Sequence, residues 1–249
     1  SGGAGVQADL KVFSAHHVYG MAAITALTAQ NTTGVSAIHT PSADFVAEQI
    51  RMVFADIRVD AVKVGMIANA EIAEAVAITL REVKAKNIVL DPVMIAKGGA
   101  PLLAEEAVEC MRDKLLPLAD ILTPNLPEAA ALLGEPEAKN REDMLCQARA
   151  LLGLGARNIY LKGGHFKSDE SPDLMLTAQV EHWLESKRIH TKNTHGTGCS
   201  LSAAIAANRA AGASEIDAAQ AAKSFITNAI TNADRLQVGH GHGPVYHFL

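Results

Sequence analysis

Apolar residues along this chain fall into two kinds of segment that take turns: short continuous runs, and longer stretches in which they recur every three or four positions. Val6, Leu10 and Phe13 set a helix over 6–15. Residues 21–28 form an apolar run of strand length that stops at Gln30-Asn31, and 41–57 returns to helical spacing with Phe45, Ile50, Val53 and Phe54 on one side. The alternation continues as strand 61–67, helix 71–84, strand 87–93, helix 103–116 and strand 119–122, then helices 127–133 and 142–152 and strand 158–162. Residues 174–191 change character to two or three short alternating segments, expected as antiparallel strands at one edge, and two long helices follow over 200–211 and 215–236. Strands apolar on both faces, each followed by a helix, predict an α/β domain: a mostly parallel central sheet with helices on both faces. No internal repeat, low-complexity tract or linker divides the chain, so 1–249 is expected to be one domain. The glycine-rich opening Ser1-Gly2-Gly3-Ala4-Gly5 has the look of a loop that follows a strand, and a first strand is expected before Ser1.

Open parallel sheets bind ligands beyond the carboxyl ends of their strands. The polar residues that end the apolar runs are Gln30, Asp91, Asn125 and Lys162. Lys192-Asn193-Thr194-His195-Gly196-Thr197-Gly198-Cys199-Ser200 reads as a loop entering an alanine-rich helix, where free N–H groups and the helix dipole make an anion cradle and the glycines allow close approach. There the dipole should depress the Cys199 pKa and free the sulfur to act as base or nucleophile; the plainer alternative is a turn before a buried helix with an inert cysteine. Asp91 and the Asn125-Leu126-Pro127-Glu128 stretch offer oxygens of the kind Mg²⁺ accepts, against the alternative of an N-capping Asn with a first-turn Glu. Lys162 beside Gly163-Gly164 suits a phosphate contact or a solvated turn. A Walker A sequence is absent, which leaves Gly196 to Cys199 as the best phosphate loop. His16-His17 should close a helix, Cys110 and Cys146 should be small core residues, and the His/Gly tail 239–244 with His247 reads as polar turns more than as a metal site.

Composition narrows the function. A net charge of −5 without any Lys/Arg block, and 4% aromatic residues, argue against nucleic-acid binding. Three cysteines without a C-x-x-C pattern point to a reducing compartment, the cytoplasm by default. No apolar run reaches membrane-spanning length, and the start lacks the pattern of a signal peptide.

Seven stretches are then informative together: residues 1–11; Ile24-Thr25-Ala26-Leu27 with Gln30-Asn31-Thr32; Lys63-Val64-Gly65-Met66; Leu90-Asp91-Pro92-Val93; Thr123 to Ala129; Leu161 to His165; and Asn193 to Cys199. With the closing Val238 to Gly241, Gly243-Pro244-Val245 and His247-Phe248, they closely resemble the hydroxymethylpyrimidine/phosphomethylpyrimidine kinases of thiamin biosynthesis, in the ribokinase superfamily. The resemblance implies a three-layer ribokinase-like fold, ATP with Mg²⁺, and commonly a homodimer. It puts Asp9, Gln30, Met66 and Val93 around an aminopyrimidine, Asn125 and Glu128 in a metal and phosphate motif with Asp91 also near the metal, and Lys162 and Thr197 on phosphates. Gly196, Gly198 and the Cys199 amide form its anion hole, and Cys199 stands where most of the superfamily has an Asp base. His16-His17 departs from the small or apolar pair expected there. The alternatives are a pyridoxal kinase of the same branch, a Cys199/His195 hydrolase, and a nucleotide-binding regulator without turnover.

Overall fold

The computed structural model describes residues 1–94, 105–166 and 168–248. In chain order these form α1 (Gly5–Ala15), β1 (Leu27–Gln30), β2 (Val35–His39), α2 (Ala43–Asp56), β3 (Val62–Val64), α3 (Ala70–Glu82), β4 (Ile88–Leu90), α4 (Glu105–Cys110), β5 (Ile121–Leu122), α5 (Leu126–Leu133), α6 (Arg141–Gly153), β6 (Ile159–Lys162), β7 (Asp173–Leu176), β8 (Glu181–Leu184), α7 (Thr197–Ala210) and α8 (Glu215–Thr231). Strands β3 to β8 make one sheet in sequence order, the first four parallel and the last two antiparallel at the edge, as the periodicity predicts.

The strand side chains alternate between two cores. Ile88, Leu90, Leu122, Ile159, Leu161, Leu174 and Leu176 face the cluster built with α2, α3, α5 and α6, while Val89, Ile121, Tyr160, Met175 and Leu184 face the cluster built with α1, α7 and α8. Residues one apart thus serve opposite layers, which is why the strands are apolar at nearly every position. The result is the expected three-layer α/β/α sandwich.

Four expectations need correction. The run 21–28 is a strand only from Leu27, and β1 pairs with β2, which has too little apolar character to be recognised, in a separate antiparallel pair. Gln30 therefore ends an outlying hairpin instead of a central strand. The helix expected over 103–116 begins outside the described residues at 103–104; from Glu105 it is α-helical only to Cys110, then continues as a π turn and a 3₁₀ turn to Leu118. The last long helix stops at Thr231 and is followed by a 3₁₀ turn over Ala233–Arg235. Cys146 is exposed and so is not the core residue expected, whereas Cys110 is half-buried and packs against the first core cluster. His16 does close α1, with its Nδ1 2.9 Å from the Val12 carbonyl.

Candidate active site

All four parallel strands end at one edge, and the side chains there are held by the sheet itself. Asp91 follows β4, its N–H donating to Val64 O at 2.8 Å, and Lys162 closes β6, its N–H donating to Pro124 O at 2.9 Å. Asn125 caps α5 in a reciprocal box: its Oδ1 accepts from Glu128 N and Glu128 Oε2 accepts from Asn125 N, both at 2.8 Å. The capping alternative thus describes the Asn125 side chain, while Glu128 keeps one carboxylate oxygen for other work.

Across from these, Gly196 begins α7 at φ +79°. A side chain there would be strained, and its Cβ would overlap the Gly3 carbonyl oxygen, so the opening loop and the α7 entry can pack only through glycine. The Thr197 N–H and hydroxyl turn back to Thr194 O, and the Ser200 N–H starts the helix ladder on Gly196 O. The N–H groups of Gly198 and Cys199 are left at the positive end of the helix. The Lys162 ammonium closes this cradle: a Cβ added to Gly198 would lie 3.3 Å from Lys162 Nζ and 4.0 Å from Asp91 Oδ2.

Five charges alternate in sign beneath the cradle. Lys63 Nζ donates to both carboxylate oxygens of Asp9, at 2.8 and 2.9 Å. Lys162 Nζ is 3.2 Å from Asp91 Oδ1 and 3.8 Å from Glu128 Oε2, and Asp91 feels both lysines. Burial alone would raise the Asp91 pKa, but Lys162 and Lys63 hold it below the ordinary carboxylate value. Glu128 fares differently: burial, helped by the Asp91 charge, outweighs Lys162 and lifts it to about 7. Burial opposes the charge on both lysines, yet Asp9 keeps Lys63, and Asp91 and Glu128 keep Lys162, above the usual lysine value.

Cys199 overturns one expectation. The Gly5 N–H, at the start of α1, donates to its sulfur, but burial pushes the thiol above its ordinary pKa; Lys63 pulls it down, and Asp91 and Asp9 push it back up. The dipole argument omitted two buried carboxylates and the loss of water. A thiol kept protonated also counts against the hydrolase alternative.

One cleft of about 1460 Å³ joins these parts. It exceeds the usual range for one small molecule, so there is room for two. Asp9, Gln30, Met66, Val93, Asp91, Asn125, Glu128, Lys162, Gly196, Thr197, Gly198 and Cys199, every site residue expected from sequence, all line it. Lys63 and Ser202 were missed. The first sits between Val62 and Val64 in β3, and period-2 reading of a charge inside an apolar strand would have pointed it at the opposite face. Ser202 is fully buried one turn into α7, 3.1 Å from Asp91 Oδ2 and from the carbonyls of Gly198 and Cys199, and nothing in an alanine-rich helix distinguishes it.

The His/Gly tail is a clamp. The His195 N–H donates to Gly243 O at 3.0 Å and the Val245 N–H to His195 O at 3.3 Å, while Gly241 and His242 donate to Thr32 in the turn between β1 and β2. His247 is 2.8 Å from the Ser200 hydroxyl, and burial, with Lys11 adding to it, lowers its pKa to about 4, so it stays neutral. No cluster of three metal-binding side chains occurs among the described residues.

A family model described as phosphomethylpyrimidine kinase matches residues 1–246. The hydroxymethylpyrimidine/phosphomethylpyrimidine kinase of Escherichia coli (strain K12) is 52% identical over 248 residues, covering 100% of this chain and 93% of that protein. Among solved structures, an ADP complex of Bacillus subtilis pyridoxal kinase superposes with a TM-score of 0.91 at 38% identity over 99% of this chain and 92% of that one. Phosphomethylpyrimidine kinase from Clostridium difficile 630 gives 0.82 at 40% identity, over 92% and 94%. Matched from its first residue to residue 246, the chain belongs to the phosphomethylpyrimidine kinase family.

Proposed function

We propose that this enzyme uses ATP and Mg²⁺ to phosphorylate 4-amino-5-hydroxymethyl-2-methylpyrimidine, and then its monophosphate to the diphosphate, in thiamin biosynthesis. The observation that carries the reading is the Lys162 ammonium beside Gly198 at the N-terminus of α7. An ammonium beside the N-terminus of a helix suits a phosphoryl group in transfer, because positioning and charge neutralisation dominate that reaction. Asp9, Gln30, Met66 and Val93 are assigned to the pyrimidine, and Lys162, Thr197 and Asn125 to the nucleotide phosphates.

Glu128 and Asp91 would hold Mg²⁺, partly through water. The donor set suits that ion, which keeps several waters and takes one or two carboxylates, and a buried Glu128 that Lys162 does not fully neutralise accepts a further cation. Held by these two residues, such an ion would supply charge neutralisation on the phosphate oxygens. In the alcohol reaction the thiolate form of Cys199, a minor form at neutral pH because burial raises its pKa, stands as the base for the hydroxyl proton; the monophosphate arrives already ionised and needs none. The protein is proposed to act in the cytoplasm as a homodimer, and no helix among the described residues is long and apolar enough to cross a membrane.

Product mass after incubation with ATP, Mg²⁺ and either acceptor tests the reading. Mono- and diphosphate products are expected, and absence of both would end it. The second reading, pyridoxal kinase, is favoured by the 0.91 superposition on such an enzyme; pyridoxal in parallel decides, with the aminopyrimidine expected to be the better acceptor.

A further inference from the structure

An enzyme that phosphorylates both an alcohol and its phosphate ester faces acceptors differing by about two negative charges. A cleft suited to the neutral acceptor should repel the ionised one unless a second cation waits at the acceptor end. Lys162 is occupied, lying within 4 Å of both Asp91 and Glu128 and closing the cradle for the transferring group. Lys223 is tied to Asp173 and Ser171 O. Arg188 is spent on the carbonyls of Gly164, Phe166 and Ser168.

Lys63 remains. It lines the cleft on the Asp9 side, with its side chain only 3% exposed. Among the described residues its hydrogen bonds go to Asp9 alone, so an ammonium with three donors keeps capacity toward the cleft. Its nitrogen lies over Gly65, where a Cβ would come within 2.8 Å, and Gly65 leads into Met66 of the pyrimidine wall. A buried ion pair is a poor source of stability, since desolvation offsets much of the attraction. One that lines a cleft beside the reacting residues calls for another use.

We propose that Lys63 binds the phosphate of the monophosphate acceptor, so that two lysines mark the ends of the transfer path: Lys162 the donor end and Lys63 the acceptor end. This rests on the kinase reading. With the alcohol bound, Lys63 stays on Asp9; with the monophosphate bound, it shares its donors between Asp9 and the phosphate oxygens. The ester's negative charge then completes an alternating row instead of facing carboxylates.

The test compares wild type with Lys63→Met, Asp9→Asn and the double variant Asp9→Asn/Lys63→Met, the last removing both charges so that no lone buried carboxylate confuses the result. Steady-state kinetics give kcat/KM for alcohol and monophosphate, and calorimetry gives the affinity of the aminopyrimidine monophosphate without nucleotide. Both Lys63 variants should lose about tenfold or more in the monophosphate-to-alcohol ratio and a similar factor in monophosphate affinity, the scale of one charge-assisted hydrogen bond. Asp9→Asn alone, which keeps the ammonium and removes a facing carboxylate, should not lower the ratio. A double variant with wild-type ratio and wild-type affinity would overturn the assignment and leave Lys63 as a partner for Asp9 only. Wild type that turned over neither compound would sink the kinase reading, while the calorimetric comparison would still judge Lys63.

Discussion

At the scale of single residues, the site keeps two groups in protonation states that their chemistry must then change. The Cys199 thiol is held protonated at neutral pH, mainly by burial, so a basic sulfur becomes more available as pH rises. Alcohol phosphorylation should therefore climb through the alkaline range while monophosphate phosphorylation stays flat. Cys199→Ala should remove the climb and lower the alcohol rate by about 10²–10⁴, the usual contribution of a general base, with ATP affinity little changed because the backbone amide remains. A pH–rate profile for both acceptors decides it, and parallel profiles would dismiss the thiol as base. Glu128 carries the opposite charge question. Its folded pKa is about 7 against an ordinary 4.5, so between those values the unfolded chain has lost a proton that the native chain keeps. Stability must fall as pH rises through that window, by on the order of 3 kcal/mol once pH 7 is passed. Glu128→Gln removes this penalty and preserves an acceptor for the Asn125 N–H. Its thermal midpoint should exceed wild type at pH 8 and match it at pH 4.5, while the Mg²⁺ concentration needed for activity rises. Equal midpoint changes at both pH values would refute the linkage.

At the scale of elements, the strand ends are fixed by what lies behind them. Register places Asp173 opposite Lys162 in the β6–β7 pair, and the Asp173 carboxylate accepts from the Gly163 N–H at 2.9 Å, the Tyr160 hydroxyl at 2.9 Å and Lys223 Nζ at 2.8 Å. An α8 lysine is thereby tied to the turn that follows the phosphate lysine. Lys223→Met strands a buried carboxylate and should cost about 3–5 kcal/mol in denaturant unfolding, whereas Asp173→Asn/Lys223→Met should recover much of the loss. Equal losses would mean that the pair acts through packing alone. This link shows where sequence reading stops. The strands β3 to β6, the antiparallel edge and the α7 loop are legible because each rests on local periodicity, on turn chemistry or on a polar residue ending an apolar run. Lys63, Ser202 and the Asp173–Lys223 tie are not, because their meaning comes from partners 50 to 111 residues away. The hairpin failed for a different reason: β1 and β2 bury almost nothing within the chain, so they carry no inward-facing pattern to read.

At the scale of the whole molecule, that hairpin is an anomaly that the proposed homodimer would resolve. Two-stranded sheets standing alone are marginal in water, yet β1 and β2 pair outside the main sheet with both faces largely exposed. Leu27, Ile38, Phe45 and Met52 are 54%, 44%, 60% and 63% exposed, and Phe45 was expected on the buried side of α2. Exposed apolar side chains on the two faces of this flap and on the helix that follows it are of the kind that a second copy would cover. Because Gln30 ends β1 and faces the cleft, a partner that steadies the flap would also steady the pyrimidine end of the site. The register puts Leu27 and Ala29 on one face with Ala37, and Thr28 with Ile38 on the other. Ala29→Asp with Ala37→Glu, a directly opposed pair that does not line the cleft, should therefore charge the outer face without entering it. Sedimentation should show a dimer for wild type and a monomer for the variant, since two charges per chain in an apolar contact are unpaired on association. The KM for the aminopyrimidine should rise by about tenfold while the KM for ATP, whose proposed site lies at Lys162, moves by less than about twofold. A monomeric wild type would leave the flap's apolar face unexplained by self-association, and a monomeric variant with wild-type KM values would uncouple the interface from the site.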